Sequence, residues 1–105
     1  MTESTSGAPV LDLLATMTAD SLEASSLDPQ TVMLVRIAAL VAVDAPPVSY
    51  ILNLGVASEF GLDDDQVRGV LTAIAPIVGT ARIASATGNI VKGLAIAIEV
   101  AESDA

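Results

Sequence analysis

At 105 residues the chain has room for one domain and one core. Apolar residues make up 52% and charged residues 16%, against roughly 45–50% and about 25% in ordinary globular domains, which argues against disorder and leaves too little charge to cover a monomer's surface. A net charge of −9 with only four basic residues, and no aromatics besides Tyr50 and Phe60, argues against nucleic acid, which needs cations for phosphates and rings for bases.

Residues 1–8 are small and polar and are expected to form a disordered tail ahead of a single all-α domain over 9–102. From Val10 the apolar positions Val10, Leu13, Leu14, Met17 and Leu22 fall at helical spacing, so a first amphipathic helix is expected, closed by Ser25-Ser26. Asp28-Pro29 is a start signal, with Asp28 as N-cap and Pro29 at the first helical position. The second helix runs from Pro29 to about Val43. It is apolar nearly all round, with Arg36 its only charge, and such a helix is expected to be buried on all sides. Asp44-Ala45-Pro46-Pro47 ends it, because a residue before proline avoids the α region. A third helix follows from Pro46 to Phe60 and stops at Gly61, a good C′ residue.

Asp63 with Gln66 three positions on forms a capping-box pattern that opens a fourth helix, and Asp64 and Asp65 lie in its first turn, where carboxylates suit the helix dipole. This helix is expected to reach Ala75, with Pro76 kinking it or starting another. Helix resumes from about Gly79 to Val100, loosened at Gly88. Small residues such as Gly69, Ala73, Ala84, Ala86 and Gly93 recur along the late helices and allow close helix–helix approach. No segment alternates with period two, so the expected architecture is a compact bundle of five to six helices.

A membrane-spanning helix needs about 20 nearly uncharged residues. The longest uncharged stretch, Ala45–Ser58, has fourteen and opens on two prolines. No basic residue precedes Pro9, so a secretory leader is not expected and the expected location is the cytoplasm. The surplus of apolar surface then calls for burial against other copies, because soluble monomers seldom expose contiguous apolar patches; a homo-oligomer is expected. The chain has no cysteine and no histidine. Without them there is no thiolate, no disulfide couple, no Ser-His-Asp arrangement and neither of the commonest metal ligands. Neither a metal nor a cofactor is expected, since Asp63, Asp64 and Asp65 are explained by capping and lack the spacing of a calcium loop.

Leu34-Val35-Arg36-Ile37-Ala38-Ala39-Leu40, Ala45-Pro46-Pro47-Val48-Ser49-Tyr50-Ile51-Leu52-Asn53-Leu54, Gly61-Leu62 and Ala75-Pro76-Ile77-Val78-Gly79-Thr80-Ala81-Arg82 together resemble the carboxymuconolactone decarboxylase-like family, which also holds the alkylhydroperoxidase-D-like proteins. The resemblance spans roughly residues 27 to 98. It implies an all-α domain assembled as trimers or hexamers, with sites near subunit interfaces. Peroxidase members carry Cys-x-x-Cys, a histidine four residues later and a glutamate upstream. Counting back from Gly61 sets Asn53 at the histidine's place, Ser49 at the second cysteine's and Pro46 at the first; the glutamate's place falls near Leu34, where Arg36 is the nearest polar group. None of the four redox residues is present, so thiol peroxidase chemistry is not expected.

Ser49 and Asn53 are i, i+4 on one face of the third helix, fit either to orient a small ligand or to hydrogen-bond to backbone or across a subunit contact. Arg36 and Arg82, set among apolar residues, are candidate clamps for a ligand carboxylate or members of structural salt bridges; Asp44 and Glu59 are the candidate partners of Arg36. Glu59 and Tyr50 are the candidates for moving a proton. Two functions stay open at this level. One is a cofactor-free lyase, decarboxylase-like, or an isomerase, acting on a small organic acid or lactone. The other is a non-catalytic oligomeric binding or scaffolding module that has lost the family's active residues.

Overall fold

The computed structural model describes residues 9–103, so the tail expected over 1–8 lies outside the described residues. Five helices follow one another: α1 (Pro9–Ala24), α2 (Pro29–Ala42), α3 (Pro47–Glu59), α4 (Asp64–Val78) and α5 (Thr80–Ser103). There is no strand among the described residues.

Local chemistry sets most of the boundaries. The Asp28 carboxylate accepts from the Thr31 amide at 3.2 Å and the Thr31 hydroxyl at 2.7 Å, and Pro29 opens α2. These bonds, the hydroxyl's first, hold the Asp28 carboxyl below the usual carboxylate range. α2 ends in a left-handed cap that the sequence does not advertise. Asp44 has φ of 57°, its N–H reaches the Val41 carbonyl at 3.1 Å, and the Ala45 N–H reaches the Leu40 carbonyl at 2.9 Å. This is the Schellman pattern with aspartate where glycine is usual, a substitution Asp tolerates better than most residues. α3 ends the same way on Gly61, at φ of 87°. There the Leu62 N–H bonds the Ala57 carbonyl at 3.1 Å, and the Leu62 side chain is buried against Ala57. Both halves of the capping box at Asp63 and Gln66 are formed, at 2.9 and 3.0 Å.

Two boundaries differ from expectation. α4 runs through Pro76 to Val78 and breaks at Gly79. A proline this close to the helix end forfeits a single backbone bond, and Pro76 stands exposed. Gly79, at φ of 88° and ψ of 165°, adopts a conformation closed to side-chain-bearing residues; it accepts the first bond of α5 from the Ile83 N–H at 3.2 Å. α5 passes through Gly88 without a break.

α3 packs along α5, and α2 packs on α3 and α4. One core cluster joins Met33, Ile37, Ala57 and Leu62; the other joins Val41, Ala45, Tyr50 and Ala86, and Leu54 touches both. Each fully buried large side chain here contributes roughly 1.5–3 kcal/mol. Gly93 marks a close helix contact: a Cβ there would stand 2.9 Å from the Pro47 carbonyl oxygen and 3.3 Å from Ile51 Cγ1. The expected all-round burial of α2 does not hold within one chain. Met33, Ile37 and Val41 are fully covered, while Val35 is 53% exposed and Val43, at its C-cap, 71%. The opposite face of α3 is similar, with Leu52 65% exposed. No α1 residue is fully buried, and Leu22 alone is partly so. Nine of the thirteen exposed large apolar residues among the described ones lie on α1, α2 with its cap, and α3, so these three helices carry most of the uncovered apolar side chains.

Candidate functional site

α1, α2 and α3 enclose a shallow depression of about 240 Å³ lined by Leu14, Met17, Thr18, Ser21, Arg36 and Asn53. Two of the six residues singled out in the sequence thus converge there. Arg36 is half-buried and its Nη2 donates to the Thr18 carbonyl at 2.9 Å. It forms no ion pair with Asp44 or Glu59; the one ion pair among the described residues joins Arg68 to Asp65 at 3.9 Å on the surface. The guanidinium fork has five donors, and one bond to a carbonyl leaves most of them for a ligand. Asn53 donates through Nδ2 to the Ser49 carbonyl at 2.9 Å, which aligns its amide along α3 and leaves its own oxygen free to accept. Ser49 is half-buried and acts through its backbone in this contact.

The other three candidates lie elsewhere. Tyr50 is fully buried in the second core cluster, and its hydroxyl is the one buried side-chain polar atom without a hydrogen-bond partner among the described residues. Burial first, then the charge of Asp44, pushes its pKa above the ordinary tyrosine value. Glu59 is exposed at the last position of α3. Arg82 donates through Nη1 to the Ala42 carbonyl at 2.6 Å. It places positive charge on the terminal carbonyl of α2, where the helix dipole is negative. The same face of α5 supplies Ser85, whose hydroxyl donates to Asp44 Oδ1 at 2.6 Å, and Asn89, which donates to the Ala45 carbonyl at 3.2 Å. Arg82, Ser85 and Asn89 therefore clamp the corner between α2 and α3.

α1 supplies four lining residues that had not been singled out, Leu14, Met17, Thr18 and Ser21. Their i, i+3, i+4, i+7 spacing is the signal that places them on one helical face. The depression offers cationic donors on one side, an amide oxygen on the other and apolar walls on α1. It suits a small molecule with a carboxylate and an apolar body. Among the described residues no three acidic side chains come together as a cation site, and no helix is long and apolar enough to cross a membrane.

In comparison with known proteins, the sequence pattern of the carboxymuconolactone decarboxylase family matches residues 8–89, most of the chain. No curated protein and no solved structure matches.

Proposed function

Because this chain belongs to the carboxymuconolactone decarboxylase family, we propose that it is a homo-oligomeric binding module that holds a small organic carboxylate or lactone between Arg36 and Asn53. One observation carries this: residues 17 positions apart, on different helices, meet at one depression that the apolar arm α1 covers only in part. Arg36 clamps the carboxylate, Asn53 fixes its orientation from the position held by histidine in peroxidase members, and Leu14 and Met17 cover the apolar body. Trimeric or hexameric assembly covers the outer faces of α1, α2 and α3, where Val35, Val43 and Leu52 stand exposed. A lyase such as a decarboxylase also needs a group that delivers a proton to the substrate carbanion. Tyr50 and Glu59, the two candidates, do not line the depression, which favours binding over turnover. Thiol chemistry is closed to a chain without cysteine.

The test is calorimetric titration of the native protein with small monocarboxylates and lactones, on wild type, Arg36→Ala and Arg82→Ala. Saturable binding that Arg36→Ala weakens at least tenfold and Arg82→Ala leaves intact supports the assignment. Equal binding in wild type and Arg36→Ala, with assembly unchanged, removes it. Turnover of any of these compounds by the wild type would restore the lyase.

A further inference from the structure

A second and larger cavity, about 450 Å³, opens on another side of α3. It lies between the first half of α4 and the middle of α5, floored by Leu54, Ala57 and Leu62, with Leu71 and Ile90 as walls and Val91 at the lip. Arg36, Ser49 and Asn53 take no part in it. We propose that this wedge is a binding site for a neutral, largely apolar small molecule.

Size and rim chemistry argue for that occupant. Close-packed interiors leave few voids larger than a water molecule, whereas ligand sites run from about 300 to 1,000 Å³ with mostly apolar walls. Several polar groups at the mouth are already engaged, and the exposed Ser58 also lies there. The Asp63 carboxylate accepts from the Gln66 N–H at 2.9 Å, and the Thr87 hydroxyl donates to the Ile83 carbonyl at 2.9 Å. Arg68 faces Asp65 at 3.9 Å, and Asp64 sits in the first turn of α4. With two carboxylates, Asp63 and Asp64, against Arg68, itself set against Asp65, the rim is net acidic and repels an anion. A neutral molecule avoids that repulsion and gains the apolar walls. A fused-ring or aliphatic compound of roughly 10–20 heavy atoms fits the space.

The chain has no tryptophan, which makes the site easy to report on. Native protein is titrated with N-phenyl-1-naphthylamine, a neutral probe that fluoresces in apolar surroundings, and in parallel with the anionic 8-anilino-1-naphthalenesulfonate. The exposed lip residue is changed in two ways: Val91→Trp gives a single indole donor at the cavity mouth, and Val91→Arg puts a charge there. The expected result is one saturable neutral-probe site per chain, sulfonate binding at least fivefold weaker, efficient energy transfer from the introduced indole, and at least tenfold weaker probe binding in Val91→Arg. Absent saturation, sulfonate binding as tight as the neutral probe, or no energy transfer overturns the proposal. Should Val91→Arg lose helicity, the energy transfer in Val91→Trp decides alone. Probe binding that persists unchanged in a folded Val91→Arg also overturns it.

Discussion

Gly93 and Gly88 lie five residues apart in the same helix, and the structure assigns them opposite responses to one methyl group. In a helix interior Gly→Ala stabilises by about 0.5–1 kcal/mol, because the unfolded chain loses conformational freedom. At Gly88 nothing lies within 4 Å of the added carbon, so Gly88→Ala keeps that gain. At Gly93 the added carbon sits 2.9 Å from the Pro47 carbonyl oxygen, a backbone atom at the rigid start of α3, and 3.3 Å from Ile51 Cγ1. Overpacking of this kind costs about 1–3 kcal/mol. Gly93→Ala is therefore destabilising by about 1 kcal/mol net, and the two variants differ by about 2 kcal/mol. For a domain of this size that corresponds to a gap of roughly 10 °C in melting temperature. The assay is thermal and urea unfolding by circular dichroism at one fixed protein concentration, since any self-association would make apparent stability depend on concentration. A Gly93→Ala protein that melts at or above wild type, or two variants that move together, would refute the close approach of α5 to α3.

Three further outcomes are expected. Tyr50→Phe stays within about 1 kcal/mol of wild type at neutral pH, because the hydroxyl it removes has no partner. Its pH profile is more telling. The folded-state pKa of Tyr50 is raised above 10.0, so its contribution is full below pH 10 and is lost as pH climbs through the folded value, while Tyr50→Phe loses that part of the alkaline slope in unfolding measured from pH 8 to 11. Asp63→Ala removes the acceptor for the Gln66 N–H and lowers unfolding free energy by about 1 kcal/mol in urea melts, whereas a change under 0.3 kcal/mol would deny the cap its role. Arg82→Ala frees the Ala42 carbonyl and destabilises by about 1 kcal/mol in the same melts while carboxylate binding is kept; loss of binding with stability intact would make Arg82 a ligand residue after all.

What the sequence disclosed was local. Asp28-Pro29, the Asp63–Gln66 pair and Gly61 each act within one turn, so residue type and spacing predict their contacts, and the structure forms all three. The α2 terminus shows the limit of that logic: the left-handed residue is Asp44 and not a glycine, held by the Ser85 hydroxyl from α5 forty-one positions away. Pro76 and Gly79 compete as breakers three residues apart. The glycine prevails because its backbone geometry is forbidden to other residues, whereas a proline near a helix end gives up a single bond. The arginines were recognisable as charges needing partners, but both partners are backbone carbonyls, Thr18 and Ala42, on other helices. A carbonyl has no identity in a sequence, so an acidic residue was the natural expectation. The same holds for the depression. Asn53 and Arg36 were visible through residue type and family position, and the α1 wall was not, because only tertiary packing brings Leu14 and Met17 over them.

The most direct measurement is the Arg36 side-chain Nε–H resonance in the native protein during titration with a small monocarboxylate. A saturable shift of that resonance, with the accompanying movement of the Asn53 amide and the loss of both effects in Arg36→Gln, is the result expected. If the Arg36 resonance stays fixed while ligand binds, or if Arg36→Gln binds as the wild type does, the carboxylate is held elsewhere and the assignment fails.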